Sequence, residues 1–208
     1  MDSREPDPGY QQYTAPTDLL NDRVVLVTGA GSGIGRAAAL AFAKHGAQVV
    51  LLGRTLSKLE SVYDEIVSAN GTRPSIAHLN LTSAQGPEYF QLRDSLDEEF
   101  GRLDGLLHNA GILGDRAPLE QYDIGQWTEV MHLNLTVPFV LTQTLLPLLN
   151  ASGDASVIFT SSGVGRRARA FWGAYAVAKF GPEGLMQELA DETEGAGRSR
   201  VNRSNPGR

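Results

Sequence analysis

The sequence contains no cysteine, and its 208 residues carry a formal net charge of −6. Without cysteine the chain has neither disulfides nor a thiolate nucleophile, which is compatible with a reducing cytosol. The acidic balance argues against general binding to nucleic acids or to anionic membranes. The first residues are polar and rich in proline, and they lack the apolar core of a signal peptide. We therefore expect a cytoplasmic globular protein.

Long hydrophobic runs and clustered metal ligands are also lacking. The longest apolar region, Val137 to Leu149, is interrupted by polar residues and by Pro147, and it is too short to span a bilayer. The histidines do not have the spacing of metal ligands, so we expect no metal site and interpret all four as packing or surface residues: His45, His78, His108 and His132. The length fits one domain, which we place at residues 17–208 behind a flexible tail of residues 1–16.

A glycine-rich segment between Arg23 and Gly46 is the strongest pattern present. The apolar run from Val24 to Val27 predicts a strand that is buried on both faces of a parallel sheet. Strong helix formers follow the turn and end at Gly46, a candidate C-cap. Strand, glycine turn and helix in this order bring free N–H groups and the positive end of a helix dipole to one point, which suits a diphosphate. The glycines of the turn are Gly29, Gly31, Gly33 and Gly35.

Strand and helix patterns continue to alternate along the chain. Further strands are predicted at residues 48–52, 75–79, 103–107 and 156–160. Further helices are predicted at residues 57–69, 87–100, about 124–149 and about 172–194. This alternation predicts an α/β fold, a Rossmann-type doubly wound parallel sheet in three α/β/α layers. In such a sheet, ligands bind at the carboxyl ends of the strands.

The end of the second predicted strand bears on the choice of nicotinamide cofactor. Gly53 and Arg54 stand about 20 residues beyond the glycine turn, where an acidic residue would bind the ribose hydroxyls of NAD. A carboxylate would repel the 2′-phosphate of NADP, whereas Arg54 can pair with it through charge-assisted hydrogen bonds. The alternative is a solvated surface arginine. The sequence therefore favours NADP(H) over NAD(H).

The last predicted helix carries Tyr175 and Lys179, which are four residues apart and therefore on one face. A nearby cation favours the phenolate form of a tyrosine, so Tyr175 is a candidate general acid or base near neutral pH. On its own, this spacing is more typical of an ordinary surface pair. The functional interpretation depends on what precedes it in the chain.

Several motifs resemble the short-chain dehydrogenase/reductase family. Within it, the resemblance to YciK-like bacterial oxidoreductases is carried by Leu-Leu-Gly-Arg54, Leu-His-Asn-Ala-Gly111, Trp-Gly-Ala-Tyr175 and Thr-Ser-Ser162. The resemblance spans about residues 23–207. Ser162 precedes Tyr175 at the spacing of the family's catalytic serine, whereas its neighbour Ser161 does not. Asn134, in the long predicted helix, matches the fourth catalytic position of the family. The other matching motifs are Thr28-Gly29-x-x-x-Gly33-x-Gly35, Asn109-Ala110-Gly111 and Tyr175-x-x-x-Lys179.

This resemblance implies that hydride passes between a nicotinamide and a carbonyl or secondary alcohol. By analogy, Tyr175 protonates the carbonyl oxygen and Ser162 polarises it. Lys179 also holds the nicotinamide ribose, and Asn134 positions a water that relays protons. The resemblance implies cofactor contacts for these residues: Gly29, Gly31, Ser32, Gly33, Ile34, Gly35, Arg54, Asn80, Leu81, Asn109, Ala110, Gly111, Tyr175, Lys179, Pro206 and Gly207.

Two polar features keep alternative interpretations. Asn80 stands where the family usually has an aspartate that accepts a hydrogen bond from the adenine amino group. Its carbonyl oxygen could keep that bond, or Asn80 could be an ordinary turn residue. A run of arginines before Phe171 and Trp172 could form a basic rim for an acidic substrate, although a solvated loop is favoured. These arginines are Arg166, Arg167 and Arg169.

The end of the sequence departs from the family pattern. Residues 200–208 resemble the sixth strand and a Pro-Gly motif, but Arg203 and Ser204 stand where apolar or small residues are expected. We expect a domain without the family's substrate lid, its last strand and the threonine that contacts the nicotinamide amide. Two hypotheses stay open: an NADP-dependent reductase or dehydrogenase, and a truncated, non-catalytic nucleotide-binding or interaction protein. The resemblance also implies a small-molecule substrate and a homodimer through the long helix and the Tyr175 helix.

Overall fold

A computed structural model describes residues 14–194 and 199–204 of the chain. Strands and helices alternate as the sequence predicts, with ends that differ from the prediction by a few residues. The strands are β1 (Val24–Thr28), β2 (Gln48–Gly53), β3 (Ser75–His78), β4 (Gly105–His108), β5 (Ala155–Thr160) and β6 (Ser199–Ser204). The α-helices are α1 (Gly33–Lys44), α2 (Leu56–Ser68), α3 (Gly86–Phe100), α4 (Ile124–Met131), α5 (Val137–Ser152) and α6 (Gly173–Glu194).

The strands form one six-stranded sheet in the order β3-β2-β1-β4-β5-β6. Every neighbouring pair is parallel. The chain builds outward from β1 towards β3 and then, after crossing back, from β4 towards β6. The order of the strands therefore reverses between β1 and β4, the point at which doubly wound sheets bind ligands. The predicted doubly wound parallel sheet is confirmed.

Two apolar clusters cover the two faces of the sheet. Val25 and Val27 of β1 belong to the cluster that contains residues of α1 and α2. Val24 and Leu26 of the same strand belong to the cluster that contains residues of α3 and α5. Because neighbouring side chains of a strand point to opposite faces, the unbroken apolar run of β1 is buried on both sides. This arrangement confirms the three-layer prediction.

The longest helical segment runs from Ile124 to Ser152 through a widened π-type turn at His132–Thr136. Its 29 residues are long and apolar enough, by length and composition, to cross a membrane. The short length predicted from the sequence therefore does not by itself exclude a span. The packing does favour a core helix, because Leu141, Leu145 and Leu149 are fully buried in the cluster that covers the sheet.

The amino ends of β1 and β4 are joined by the buried carboxylate of Asp104. This carboxylate accepts hydrogen bonds from the Val24 amide at 2.8 Å and from the Ser152 hydroxyl at 2.7 Å. It also accepts from Arg102 Nε at 3.1 Å and from a terminal nitrogen of Arg23 at 3.2 Å. Burial alone would raise the pKa of Asp104, but the hydrogen bonds from Val24, Ser152 and Arg102 outweigh burial and hold the pKa below its usual range.

The predicted domain boundaries stay predictions, because both ends of the chain include residues outside the described ones. Residues 1–13, most of the predicted tail, lie outside the described residues, as do Pro206 and Gly207. Pro16, the last residue of that tail, accepts a hydrogen bond from the His45 ring at 2.6 Å through its carbonyl oxygen. The predicted sixth strand forms and pairs with β5.

Candidate active site

A cleft of about 260 Å³ opens at the carboxyl ends of the strands, beside the switch point between β1 and β4. Nine of the predicted cofactor residues line it: Gly29, Gly31, Ser32, Arg54, Asn80, Leu81, Asn109, Ala110 and Gly111. The remaining predicted contacts in the described chain are not among its lining residues: Gly33, Ile34, Gly35, Tyr175 and Lys179.

The glycines of the turn have different physical roles. Gly29 has a φ of +67° and Gly33 a φ of +54°, a left-handed backbone that disfavours other residues. Gly33 faces open space, because a Cβ built there meets no heavy atom of the described chain within 4 Å. Gly35 instead allows α1 to pack on the turn, because a Cβ there would collide with the Gly29 carbonyl oxygen. Gly35 is therefore a packing residue.

The first turn of α1 is open to a ligand. Ser32 is the N-cap residue, and within the described chain its side chain makes no capping hydrogen bond to that turn. The first N–H groups of a helix have no partner within the helix and lie at the positive end of its dipole. The turn therefore has the geometry and the field that hold a diphosphate.

Arg54 and Lys58 give one end of the cleft a positive charge. Both residues line the cleft together with Thr55, and neither forms an ion pair with a carboxylate in the described part of the chain. Lys58 lies close to the glycine turn, because a Cβ at Gly31 would stand 2.9 Å from the Lys58 Cβ. The sequence interpretation missed Thr55 and Lys58, because the place of Lys58 beside the turn depends on how α2 packs.

Asn80 adopts the turn that was the alternative interpretation of this residue. Its side-chain oxygen accepts a hydrogen bond from the Thr82 amide at 3.2 Å, and its carbonyl oxygen accepts from the Ala84 amide at 2.9 Å. Asn80 still lines the cleft. The turn therefore accounts for the asparagine without excluding contact with a ligand.

Thr28, the last residue of β1, holds the Asn109-Ala110-Gly111 segment in place. Its hydroxyl donates to the Leu107 carbonyl at 3.2 Å and accepts from the amides of Asn109 and Ala110 at 2.9 and 3.0 Å. The Asn109 side chain donates back to the Thr28 carbonyl at 3.2 Å. The two strand ends that flank the switch point are therefore tied together.

Asn134 lies in the widened turn between α4 and α5 and is almost fully buried. Its side-chain oxygen accepts from the Ile112 amide at 2.9 Å, and its side-chain nitrogen donates to the Ile112 carbonyl at 2.7 Å. Gly111 allows this approach, because a Cβ there would stand 2.9 Å from the Asn134 oxygen. Asn134 thus fixes the wall of the cleft beyond Gly111.

Tyr175 and Lys179 meet on α6 as their spacing predicts. The Lys179 Nζ lies 5.6 Å from the centre of the Tyr175 ring and donates a hydrogen bond to the Thr160 carbonyl at 2.7 Å. Burial lowers the pKa of Lys179 to about 8. The loop after Ser162 packs on the same helix, because a Cβ at Gly165 would stand 2.6 Å from the Lys179 carbonyl.

Ile112 connects the Tyr175–Lys179 pair to the cleft. It lines the cleft, and it also packs against the apolar cluster of Val130, Ala174 and Ala178 that Tyr175 covers. The structure therefore brings Asn134, the Ser162 loop, Tyr175 and Lys179 together beside the end of the cleft that lies opposite β2.

Aromatic side chains lie near Tyr175, and the sequence motifs had indicated Trp172 but not Tyr122. The Trp172 ring lies 5.9 Å from the Tyr175 ring, and the Arg116 guanidinium stacks on Trp172 at 4.6 Å. Gly173, with a φ of +42°, rests against the Tyr122 ring. The three loop arginines of the predicted rim, Arg166, Arg167 and Arg169, are exposed, as the solvated-loop interpretation expects.

Comparison with known proteins places this geometry in a family. The family model described as short chain dehydrogenase matches residues 23–208. The uncharacterized oxidoreductase YciK of Escherichia coli K12 is 49% identical over 195 residues, which cover 94% of this chain and 77% of YciK. Levodione reductase of Leifsonia aquatica is 34% identical over 182 residues, which cover 86% of this chain and 67% of the reductase.

Solved structures agree with this assignment. A Pseudomonas syringae structure has a TM-score of 0.92 and 56% identity, and the match covers 95% of this chain and 81% of that one. An Escherichia coli CFT073 structure complexed with NADPH has a TM-score of 0.89 and 49% identity, and the match covers 93% of this chain and 80% of that one. The chain belongs to the short-chain dehydrogenase/reductase family of oxidoreductases and is similar to YciK.

Proposed function

We propose that this chain is an NADP(H)-dependent oxidoreductase that interconverts carbonyl compounds and secondary alcohols. The observation that carries the proposal is the buried ammonium of Lys179 against the Tyr175 ring, next to a glycine-lined cleft. A phenol beside a cation is equipped to exchange a proton with a substrate oxygen.

The residues of the cleft fit a nicotinamide dinucleotide. Gly33 leaves open space at the first turn of α1, where the diphosphate would lie against free N–H groups. Arg54 and Lys58 would hold a 2′-phosphate, and the turn at Asn80 would border the adenine. This placement supports NADP(H) over NAD(H), and the relative complexed with NADPH agrees with it.

When bound, the nicotinamide supplies or accepts the hydride. Tyr175 donates its proton to the carbonyl oxygen during reduction, and Ser162 polarises that oxygen through its hydroxyl. The ammonium of Lys179 lies beside the ring and would offset the negative charge left on Tyr175 by that transfer. The side-chain oxygen and nitrogen of Asn134 both form hydrogen bonds with Ile112. The main chain of the widened turn, rather than this side chain, would therefore position the water of the proton relay.

We also propose a cytoplasmic homodimer. Three large apolar side chains on α5 and α6 are 44–46% exposed: Phe139, Val177 and Phe180. Pairing of these helices between two copies would remove them from water. Light scattering during gel filtration would show the mass of two chains for the wild type and of one chain for Phe180→Asp.

Turnover on a panel of ketones and aldehydes with NADPH tests the catalytic proposal. We expect oxidation of NADPH by the wild type and a loss of about 10²–10⁴-fold in kcat for Tyr175→Phe, because the proton donor is removed. Tyr63→Phe, which removes a hydroxyl from α2 outside the cleft, is the matched control and should keep full activity. Cofactor binding without turnover by the wild type would favour the non-catalytic hypothesis.

A further inference from the structure

We propose that Ser161 and Glu183 are positioning residues that fix the catalytic loop of Ser162 against α6, an inference that rests on the proposed function. The Ser161 hydroxyl donates to a Glu183 carboxylate oxygen at 2.5 Å. Ser161 is buried, and the Glu183 side chain is only 13% exposed. Hydrogen bonds to carboxylates are shorter and stronger than neutral ones, so this bond is a firm attachment.

Glu183 continues the row of functional residues on α6. Tyr175, Lys179 and Glu183 follow one another at intervals of four residues, so they lie along one stripe of the helix. Lys179 bonds the carbonyl of Thr160, and Glu183 bonds the hydroxyl of the next residue, Ser161. Two consecutive residues at the end of β5 are therefore held by two consecutive members of the row.

The backbone shows how this attachment reaches Ser162. Ser162 is extended, with φ of −149° and ψ of 155°, and consecutive side chains of an extended chain point to opposite sides. Anchoring Ser161 on Glu183 therefore turns Ser162 the other way. The Ser162 hydroxyl accepts a hydrogen bond from the Val164 amide, but this bond is 3.5 Å long and therefore weak. The direction of Ser162 thus depends on its anchored neighbour.

Arg166 supplements this attachment from the far side of the loop. Its Nε lies 3.9 Å from the second carboxylate oxygen of Glu183, and its side chain is 51% exposed. An exposed ion pair of this length contributes little. Removal of Arg166 should therefore have a much smaller effect than removal of the Ser161 hydroxyl.

A double-mutant cycle on kcat tests the proposal. We expect Ser161→Ala and Glu183→Leu each to lower kcat roughly 10- to 100-fold with little change in the KM for NADPH, because a small misplacement of a catalytic group is costly. The double variant should be little worse than Glu183→Leu alone, because Glu183→Leu has already removed the hydrogen bond of Ser161. Ser161→Thr and Glu183→Gln keep a donor and an acceptor, and they should retain most of the activity. Additive losses, or losses confined to KM, would overturn the proposal.

Hydrogen exchange tests the attachment without depending on turnover. The amides of Val164 and Gly165 should exchange at least about tenfold faster in Ser161→Ala and Glu183→Leu than in the wild type, because the loop opens more readily. Glu188→Gln removes an exposed carboxylate from the same helix and should leave exchange and kcat unchanged. Unchanged exchange in both loop variants overturns the attachment. A wild type that reduces no carbonyl contradicts the proposed function alone.

Discussion

The two ends of the parallel strands differ in how their polar groups are satisfied. We call the side of the sheet where the strands begin the amino edge, and the side where they end the carboxyl edge. At the amino edge, the buried Asp104 carboxylate accepts from a backbone amide, a hydroxyl and two guanidinium groups, all supplied by the chain itself. At the carboxyl edge, glycines leave open space, the first turn of α1 keeps free N–H groups, and two cations stand without carboxylate partners among the described residues. One edge satisfies its polar groups internally, and the other presents them to a ligand.

This difference separates stability from function along the strands. The internal hydrogen bonds of Asp104 stabilise the folded chain, whereas the free N–H groups and cations at the cleft stabilise it only when a ligand binds. Substitutions at the amino edge should therefore change the free energy of unfolding and leave catalysis intact. Substitutions at the carboxyl edge should do the reverse.

The largest effect is expected at the amino edge. Asp104→Asn should lower the free energy of unfolding by about 2–4 kcal/mol. The new amide nitrogen would face groups that themselves donate hydrogen bonds, and the substitution removes a buried charge that two arginines contact. Denaturant titration measures this change. Asp154→Asn, whose carboxylate is 49% exposed, should cost less than about 1 kcal/mol. A lower kcat per folded molecule in Asp104→Asn would contradict the claim that the amino edge affects stability and not catalysis.

At the carboxyl edge, Arg54→Gln should weaken NADPH binding about 10- to 100-fold and leave NADH binding unchanged. The interaction that this substitution would remove is a charge-assisted hydrogen bond to the 2′-phosphate, worth about 1.5–3 kcal/mol. Cofactor fluorescence measures both affinities. Arg73→Gln removes an exposed arginine away from the cleft and should change neither. Equal losses for the two cofactors would show that Arg54 does not read the phosphate.

The pH dependence of reduction should report on Lys179. Its pKa of about 8 means that the ammonium loses its proton as the pH rises through 8, and the positive charge beside the Tyr175 ring disappears. The kcat/KM should then fall about tenfold per pH unit above that point. Lys179→Arg keeps its charge at alkaline pH, so its kcat/KM should not fall above pH 8, whatever its maximal rate. A fall in kcat/KM that still begins near pH 8 in the arginine variant would show that Lys179 does not cause it.

The smallest expected effect concerns acid stability. The pKa of Asp104 lies below its ordinary value in the folded chain, so the unfolded chain takes up the proton first. The stabilisation is complete above about pH 4 and is lost as the pH falls through the lower, folded pKa. Asp104→Asn should therefore show a shallower acid decline in the free energy of unfolding than the wild type. Parallel declines would mean that other carboxylates govern acid unfolding.

Local sequence patterns predicted most of the fold and most of the residues that line the cleft. The run of Val24 to Val27, the glycine turn and the Tyr175–Lys179 spacing each depend on neighbours in the sequence, so periodicity and propensity were sufficient. The cofactor contact expected of Gly35 stays a prediction, and Gly35 is not among the residues that line the cleft. Its role in packing α1 on Gly29 became visible only with the turn in place.

Contacts between distant elements escaped prediction for a common physical reason. Asp104 meets Val24 and Ser152, and Ser161 meets Glu183, only after the sheet has assembled. The widened turn at Asn134 was predicted as ordinary helix, because the amide pairing with Ile112 that accompanies it is also a tertiary contact. Lys58 was missed because its place beside Gly31 depends on how α2 packs on the turn.

Titration of the purified chain with NADPH and with NADH, followed by cofactor fluorescence, tests the central claim most directly. We expect saturable binding of both cofactors at the carboxyl edge, with NADPH bound at least about tenfold more tightly because Arg54 and Lys58 would face its phosphate. Absence of binding by either cofactor, or tighter binding of NADH, would contradict it.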